Sequence, residues 1–121
     1  MIAILILMSL FIAKHFICDF CFQFNYMLAE KGTYWAKGGL HHALIHAAGT
    51  FLILSVVIYE IEWAVVFALF DGIIHYHIDW CKVQLSRGLT ATDRQFWIWI
   101  GLDQALHYLT YVLIIAILFI L

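Results

Sequence analysis

Aspartates and histidines recur at four-residue intervals inside the long apolar stretches of this chain. The recurring positions are His15 and Asp19, then His42 and His46, then Asp71, His75 and Asp79, and finally Asp103 and His107. Residues four apart lie on one face of an α-helix, so each stretch carries one polar stripe on an otherwise apolar surface. Imidazole nitrogens and carboxylate oxygens are ligands of zinc, iron and manganese. The spacing therefore predicts a metal centre between facing helices.

The composition favours an integral membrane protein. Of the 121 residues, 66% are hydrophobic and 12% are charged, and the mean hydropathy is +0.99. A soluble globular domain is closer to half apolar and a quarter charged. The formal net charge of −2 and the absence of a basic tract argue against nucleic acid as a partner. The expected partner is the lipid bilayer.

Four stretches are long enough to cross a bilayer, for which a helix needs about 20 mostly apolar residues. They cover about residues 2–27, 39–59, 63–81 and 96–121. The connections between them are short, which makes consecutive helices antiparallel neighbours. We predict an all-α integral membrane protein, a four-transmembrane-helix antiparallel bundle forming one domain over residues 1–121.

The basic residues predict the orientation of the bundle. Lys31 and Lys37 lie in the first connection, and Lys82, Arg87 and Arg94 lie at or in the third. Loops rich in lysine and arginine stay in the cytoplasm. We therefore expect the first and third connections in the cytoplasm and both termini outside it.

The polar stripes overlap in one layer, in the predicted cytoplasmic half of the bundle. An aspartate or lysine at the centre of a bilayer costs about 2.5–3.5 kcal/mol even on lenient scales, so these groups need partners. A divalent cation satisfies several of them together. The supply of ligands suits one or two ions, with zinc favoured and iron or manganese as alternatives. The expected metal ligands are His15, Asp19, His42, His46, His75, Asp79, Asp103 and His107, with Gln23, Gln104 and Asp71 orienting them through hydrogen bonds.

Other polar residues are expected to lie outside this layer. His41 and His77 fall off the stripes and are interpreted as packing or interface histidines. Lys14 lies beside His15 but points elsewhere, so its side chain either extends toward the membrane interface or pairs with an aspartate.

The ordered polar motifs resemble a known family. They are the His15-x3-Asp19-Phe20-x2-Gln23 run, Met27 and Lys31, His42-x3-His46, His75-x3-Asp79-x2-Lys82, Phe96, and Asp103-Gln104-x2-His107. Together these motifs span nearly the whole chain and resemble the domain-of-unknown-function family 3307, which comprises small bacterial and phage membrane proteins. The resemblance implies that the motif residues form one site, and it implies a bacterial inner (cytoplasmic) membrane location. It implies no particular reaction.

The leading functional hypothesis is a metal-dependent hydrolase acting on a lipid or lipid-linked phosphate at the cytoplasmic leaflet. A metal-bound water ionises near neutral pH and supplies hydroxide. Asp79 or Asp103 could act as the general base. Lys82, with Arg87 and Arg94, could hold a phosphate or an anionic lipid head group at the mouth of the site.

Three alternatives remain open. Stripes of aspartate and histidine also mark metal-ion or proton transport, although this would need a homo-oligomer to give the pathway room. His46 and His107 on facing helices could ligate a b-type haem. The polar layer could also serve only as hydrogen-bonding glue in a structural membrane assembly protein.

Overall fold

The computed structural model describes residues 2–120 and confirms an all-helical architecture within that range. Its helices are α1 (Ile2–Phe16), which continues through a π-helical turn (Ile17–Cys21), α2 (Asn25–Glu30), α3 (Lys37–Val57), α4 (Ile61–Leu85) and α5 (Arg94–Leu118). Four helical stretches are long and apolar enough to cross a membrane, namely Ile2–Cys21, Lys37–Val57, Ile61–Leu85 and Arg94–Leu118. These stretches correspond to the four predicted spans.

The four long helices form a ring in which each packs against two neighbours. α1 contacts α3 and α5, and α4 contacts the same two helices. The Lys14 ammonium lies 3.1 Å from the Thr50 hydroxyl, whereas Asp19, farther along α1, meets His42, an earlier residue of α3. α1 and α3 therefore run antiparallel, as their short connection requires.

An apolar core closes the end of the bundle where α1 begins and α5 finishes. There the Phe11 and Tyr111 rings stack with their centroids 5.0 Å apart. The buried residues of this core are Leu7, Phe11, Leu54, Ala64, Phe67, Tyr111, Ile114 and Ile115. We call this end the apolar end. The opposite end carries Lys31, Lys37, Lys82, Arg87 and Arg94, and we call it the basic end.

The first span differs from the prediction, because it does not continue as one helix to Met27. The Phe22 N–H donates to the Ile17 carbonyl at 3.1 Å, which is the wider spacing of a π-helix. The Gln23 side-chain amide then donates to the Asp19 carbonyl at 2.7 Å, the acceptor that the Gln23 main-chain N–H would use in a continuing α-helix. The helix ends there, and Asp19 lies inside the π-helical turn.

α2 packs closely against the start of α3. A Cβ added to Gly38 would lie 2.7 Å from the Tyr26 carbonyl oxygen and 2.9 Å from the Met27 Cα, so this approach requires glycine. The Gly38 N–H also donates to the Glu30 carboxylate at 2.6 Å. These contacts fix the end of α2, and with it the position of Lys31, against the bundle.

The other helix ends differ from the prediction by a few residues. α4 continues to Leu85, one turn beyond the predicted end at Cys81, and carries Lys82 within the helix. α3 spans Lys37–Val57, two residues earlier at each end than predicted. Hydropathy alone places such ends loosely, because the polar residues of a terminal turn remain helical.

Candidate metal centre

All eight predicted metal ligands lie together in one layer, between the apolar core and the basic end. Each long helix contributes two of them, one helical turn apart. Seven of the eight are buried, and the Asp19 side chain is 12% exposed. The eight residues are His15, Asp19, His42, His46, His75, Asp79, Asp103 and His107. The convergence that the stripes predicted is therefore present.

Asp19, His42, His46 and His75 form the first set, which we call the histidine-rich group. The Nε2 atoms of His42 and His46 lie 3.1 and 3.0 Å from Asp19 Oδ1. His75 Nε2 lies 3.1 Å from His42 Nε2. Two ligand atoms bound to one tetrahedral zinc lie about 3.3 Å apart, given metal–ligand bonds of about 2.0–2.2 Å. This group therefore offers the complete ligand set of a four-coordinate ion.

Asp79, Asp103 and His107 form the second set, which we call the aspartate-rich group. His107 Nε2 lies 3.5 Å from Asp103 Oδ1 and 3.8 Å from Asp79 Oδ1. His107 Nε2 and Asp103 Oδ1 are both buried, and neither has a hydrogen-bond partner among residues 2–120. A cation between these atoms would satisfy both. Three protein ligands would leave a fourth position for water, as in catalytic zinc sites.

The two groups are in direct contact through α4. The His75 Nε2 atom lies 3.3 Å from Asp79 Oδ2. The His75 ring stacks against His46 on one side and His107 on the other, with centroid separations of 3.5 and 4.0 Å. Ions bound in both groups would therefore be close neighbours, as in two-metal hydrolytic sites.

His15 is held by hydrogen bonds that orient Asp19. Its Nε2 atom lies 3.1 Å from both Asp19 Oδ2 and Gln104 Oε1, and both of these oxygens are acceptors. The ring proton therefore belongs on Nε2, and Nδ1 accepts the Tyr111 hydroxyl proton at 2.9 Å. In this arrangement His15 orients Asp19, which is itself a candidate ligand. Hydrogen-bonding partners of metal ligands commonly have this role.

His15 also belongs to a third possible ligand set, with His75 and His107. Use of its Nε2 lone pair would require the other tautomer, in which Nδ1–H donates to Tyr111. Its predicted role as a direct ligand thus remains a prediction that depends on this proton shift.

Gln104 forms hydrogen bonds with two of the predicted ligands, His15 and Asp103. Its side-chain oxygen accepts from His15, and its side-chain nitrogen donates to Asp103 Oδ2 at 3.1 Å. Gln104 therefore links His15, which contacts Asp19 of the histidine-rich group, to Asp103 of the aspartate-rich group. Gln23 acts differently, since it fixes the backbone of Asp19 rather than a side chain.

Lys31 is a member of the centre that sequence reasoning placed only in a loop. Its ammonium lies 2.7 Å from Asp79 Oδ2, and the residue is 6% exposed. The break after Cys21 and the short helix α2 fold the chain back and bring Lys31 to this position. The only advance signal was its inclusion in the ordered motifs of the family resemblance.

The charges of the centre match a divalent cation. Asp19, Asp79 and Asp103 supply three carboxylates, and Lys31 supplies one ammonium. With neutral imidazoles, two negative charges remain in a poorly solvated interior, where an uncompensated charge is costly. One divalent ion would neutralise them.

Asp71 differs from its predicted role, because it does not orient a metal ligand. Its carboxylate lies 2.7 Å from the Lys14 ammonium and accepts the hydroxyl proton of Thr50. Lys14 also reaches the His46 carbonyl at 3.5 Å. Of the two alternatives for Lys14, pairing with an aspartate is thus the observed one, and the pair lies on the apolar-end side of the ligands.

Three further predicted residues lie at the edge of the centre or outside it. Lys82 lines a crevice between α4 and α5 beside Asp103, rather than contacting the ligand groups. His41 and His77 point away from the layer and lie within 3.2 Å of the hydroxyls of Tyr26 and Tyr34. Both histidines are therefore outside the site, as the helical periodicity predicted.

Comparison with known proteins gives one family match. A family model described as "Protein of unknown function (DUF3307)" matches residues 6–121, which include both ligand groups and Lys31. No curated protein and no solved structure matches the chain. The chain belongs to the DUF3307 family.

Proposed function

We propose that this protein is an intramembrane metalloenzyme that hydrolyses a lipid or lipid-linked phosphate at the cytoplasmic leaflet of the bacterial inner membrane. One observation carries the proposal. A four-ligand histidine-rich group adjoins a three-ligand aspartate-rich group, and all seven side chains belong to one chain. Structural zinc sites use four protein ligands, whereas catalytic sites use three and keep a position open.

The aspartate-rich group supplies the chemistry. A metal ion there would lower the pKa of a bound water toward about 7, which provides hydroxide at neutral pH. The oxygen of Asp79 or Asp103 that does not bind the ion could take the proton of this water. Hydroxide supplied in this way would attack phosphorus, the bond from phosphorus to the leaving oxygen would break, and that oxygen would take the proton held by the carboxyl group.

The positive charges around the centre favour a phosphate substrate. Lys31 lies 2.7 Å from Asp79, so its ammonium is within reach of a phosphate bound at the aspartate-rich group. Lys82, Arg87 and Arg94 lie toward the same end of the bundle. Clusters of lysine and arginine at the cytoplasmic surface attract anionic lipid head groups.

The donor set favours zinc, with iron or manganese as alternatives. Imidazole suits zinc and iron, and carboxylate suits manganese as well. The histidine-rich group, with three nitrogens and one oxygen, has the mixed donor set of a zinc site. The aspartate-rich group, with two carboxylates, is the less selective of the two.

The direct test is release of phosphate from lipids by metal-loaded protein in mild detergent. We expect release from a lipid monophosphate or a lipid diphosphate, and its loss in Asp103→Asn. Glu62→Gln, at an exposed acid outside the layer, is the matched control and should retain activity. Absence of release from monophosphate, diphosphate and phosphodiester lipids by protein that contains metal would contradict the proposal.

Transport is the second candidate, because polar contacts continue beyond the ligands. Lys14 connects the His46 carbonyl to Thr50 and Asp71, deeper toward the apolar end. The core around Phe11 and Leu54, both fully buried, closes the bundle beyond this point. Metal- or pH-dependent flux in proteoliposomes would favour transport over hydrolysis.

The haem alternative loses support from the packing of the rings. His75 stacks between His46 and His107, the two proposed axial ligands, and so fills the space that a macrocycle would need. A Soret band in the purified protein would overturn this conclusion.

A further inference from the structure

A crevice of about 220 Å³ lies between α4 and α5, on the half of the bundle nearer the basic end. On α4, its lining residues recur at the spacing of one helix face, and α5 supplies the opposite wall. Its walls include Ile78 and Lys82 on α4, and Leu102, Asp103 and Leu106 on α5. The surface that lines the crevice is almost entirely apolar.

The crevice leads from the outer surface of the bundle to the proposed metal centre. Leu102 and Leu106 are 45% and 39% exposed, so their wall faces outward. Asp103, which also lines the crevice, is 5% exposed and belongs to the aspartate-rich group. A molecule in the crevice would therefore contact both the outward-facing wall and a residue of the centre.

Lys82 lies at the crevice and carries a charge that fits an anion. Within the described part of the chain, no carboxylate lies within ion-pair distance of its ammonium. Asp79 precedes it by one turn on the same helix but pairs with Lys31 at 2.7 Å. The positive charge of Lys82 is thus available to a ligand beside the centre.

We propose that this crevice binds a bilayer lipid with a phosphate head group, whose acyl chain lies against Leu102 and Leu106 while Lys82 holds the phosphate beside Asp103. Apolar walls that open onto a lipid-facing surface match a hydrocarbon chain, and the lysine matches the negative head group. The proposal rests on the proposed function for the reaction that follows, whereas the contacts that hold the lipid are those of Lys82 and the apolar walls.

A second groove lacks the lysine and the candidate ligand that line the α4–α5 crevice. The groove between α3 and α4, about 350 Å³, is lined by Leu44, Leu69 and Ile73 among others, and by no member of the two ligand groups and no lysine. It offers hydrocarbon contact without a cation or a path to the centre. Leu44 is 65% exposed and provides a matched control position.

The experiment is native mass spectrometry of the detergent-solubilised protein with phosphatidic acid or with phosphatidylcholine of the same acyl chains. We expect preferential retention of phosphatidic acid. Lys82→Gln should weaken its retention by about fivefold, the effect of one lysine near a membrane surface. Lys82→Arg should preserve retention because it keeps the charge.

Variants that fill the α4–α5 crevice test whether the lipid binds there. Leu106→Trp should lower retention of both lipids by filling the crevice, whereas Leu44→Trp should not, and all variants should elute as folded protein in gel filtration. Wild-type retention in both Lys82→Gln and Leu106→Trp would overturn the proposal. The metal content of the same samples separates lipid binding from the proposed enzyme. Retention of lipid by protein that takes up no metal would support the lipid site and contradict the proposed metalloenzyme.

Discussion

At the level of single residues, the centre is built from pairs of side chains one helical turn apart. Each pair is visible in the sequence, because residues four apart share a helix face. The sequence does not show which of these residues would bind a metal ion and which would orient the ligands by hydrogen bonds. The hydrogen bonds to Gln104 and Tyr111 separate His15 from the other histidines, and the contact with Lys14 separates Asp71 from the other aspartates.

Loss of Lys14 should destabilise the protein strongly. In Lys14→Met, Asp71 would remain a buried carboxylate without its cation, and breaking a buried pair in this way costs about 3–5 kcal/mol. The double variant Lys14→Met/Asp71→Leu removes both charges and should recover most of the lost stability. Thermal unfolding in detergent measures the effect, and equal melting temperatures for wild type and Lys14→Met would contradict the assignment.

Loss of Gln104 should weaken metal binding without removing a ligand. Gln104→Leu breaks the hydrogen bonds to His15 and Asp103, and loss of such supporting partners costs about 10–100-fold in metal affinity. Gln95→Leu, at an exposed position of the same helix, is the control. Competition with a chelator provides the readout, and an unchanged affinity in Gln104→Leu would remove it from the centre.

At the level of helices, the break after Cys21 is the feature that completes the site. The sequence predicts the four long spans well, because each is a continuous apolar run. It does not predict the break, since Phe22 and Phe24 are apolar and neither proline nor glycine marks the position. The only local signal is Gln23, four residues after Asp19, whose side chain takes over the Asp19 carbonyl.

Displacement of α2 should damage the centre from a distance. In Gly38→Ala, the new methyl group would meet backbone atoms of Tyr26 and Met27 at 2.7 and 2.9 Å, so α2 must shift and carry Lys31 away from Asp79. We expect lower thermal stability and lower hydrolytic activity.

Gly101→Ala is the matched control for this effect. A methyl group there meets nothing within 4 Å, and alanine favours a helix over glycine by about 1 kcal/mol. Thermal unfolding and phosphate release should therefore be preserved or improved. A Gly38→Ala variant as stable and active as Gly101→Ala would show that α2 does not position Lys31.

At the level of the whole molecule, the bundle has an apolar end, a basic end, and the layer of candidate ligands between them. Exposed apolar side chains such as Val56 and Leu109, at 86% and 60%, cover its outside, as expected of a surface that faces lipid. The four candidate spans are consistent with a multi-pass membrane protein.

The distribution of basic residues predicts which end faces the cytoplasm. With the native cysteines replaced, Tyr59→Cys, in the connection before α4, should react with an impermeant maleimide in intact cells. Ala91→Cys, in the connection before α5, should react only after permeabilisation. The reverse pattern would place the centre in the outer half of the membrane and contradict cytoplasmic-leaflet chemistry.

The most direct test of the metal centre is elemental mass spectrometry of protein purified without a histidine tag. His41 and His42 are adjacent on α3, but only His42 lies in the histidine-rich group. Wild type and His41→Ala should contain one or two equivalents of zinc, iron or manganese, and His42→Ala should lose the ion of the histidine-rich group. Folded wild-type protein that takes up no metal, or equal metal content in both variants, would contradict the account.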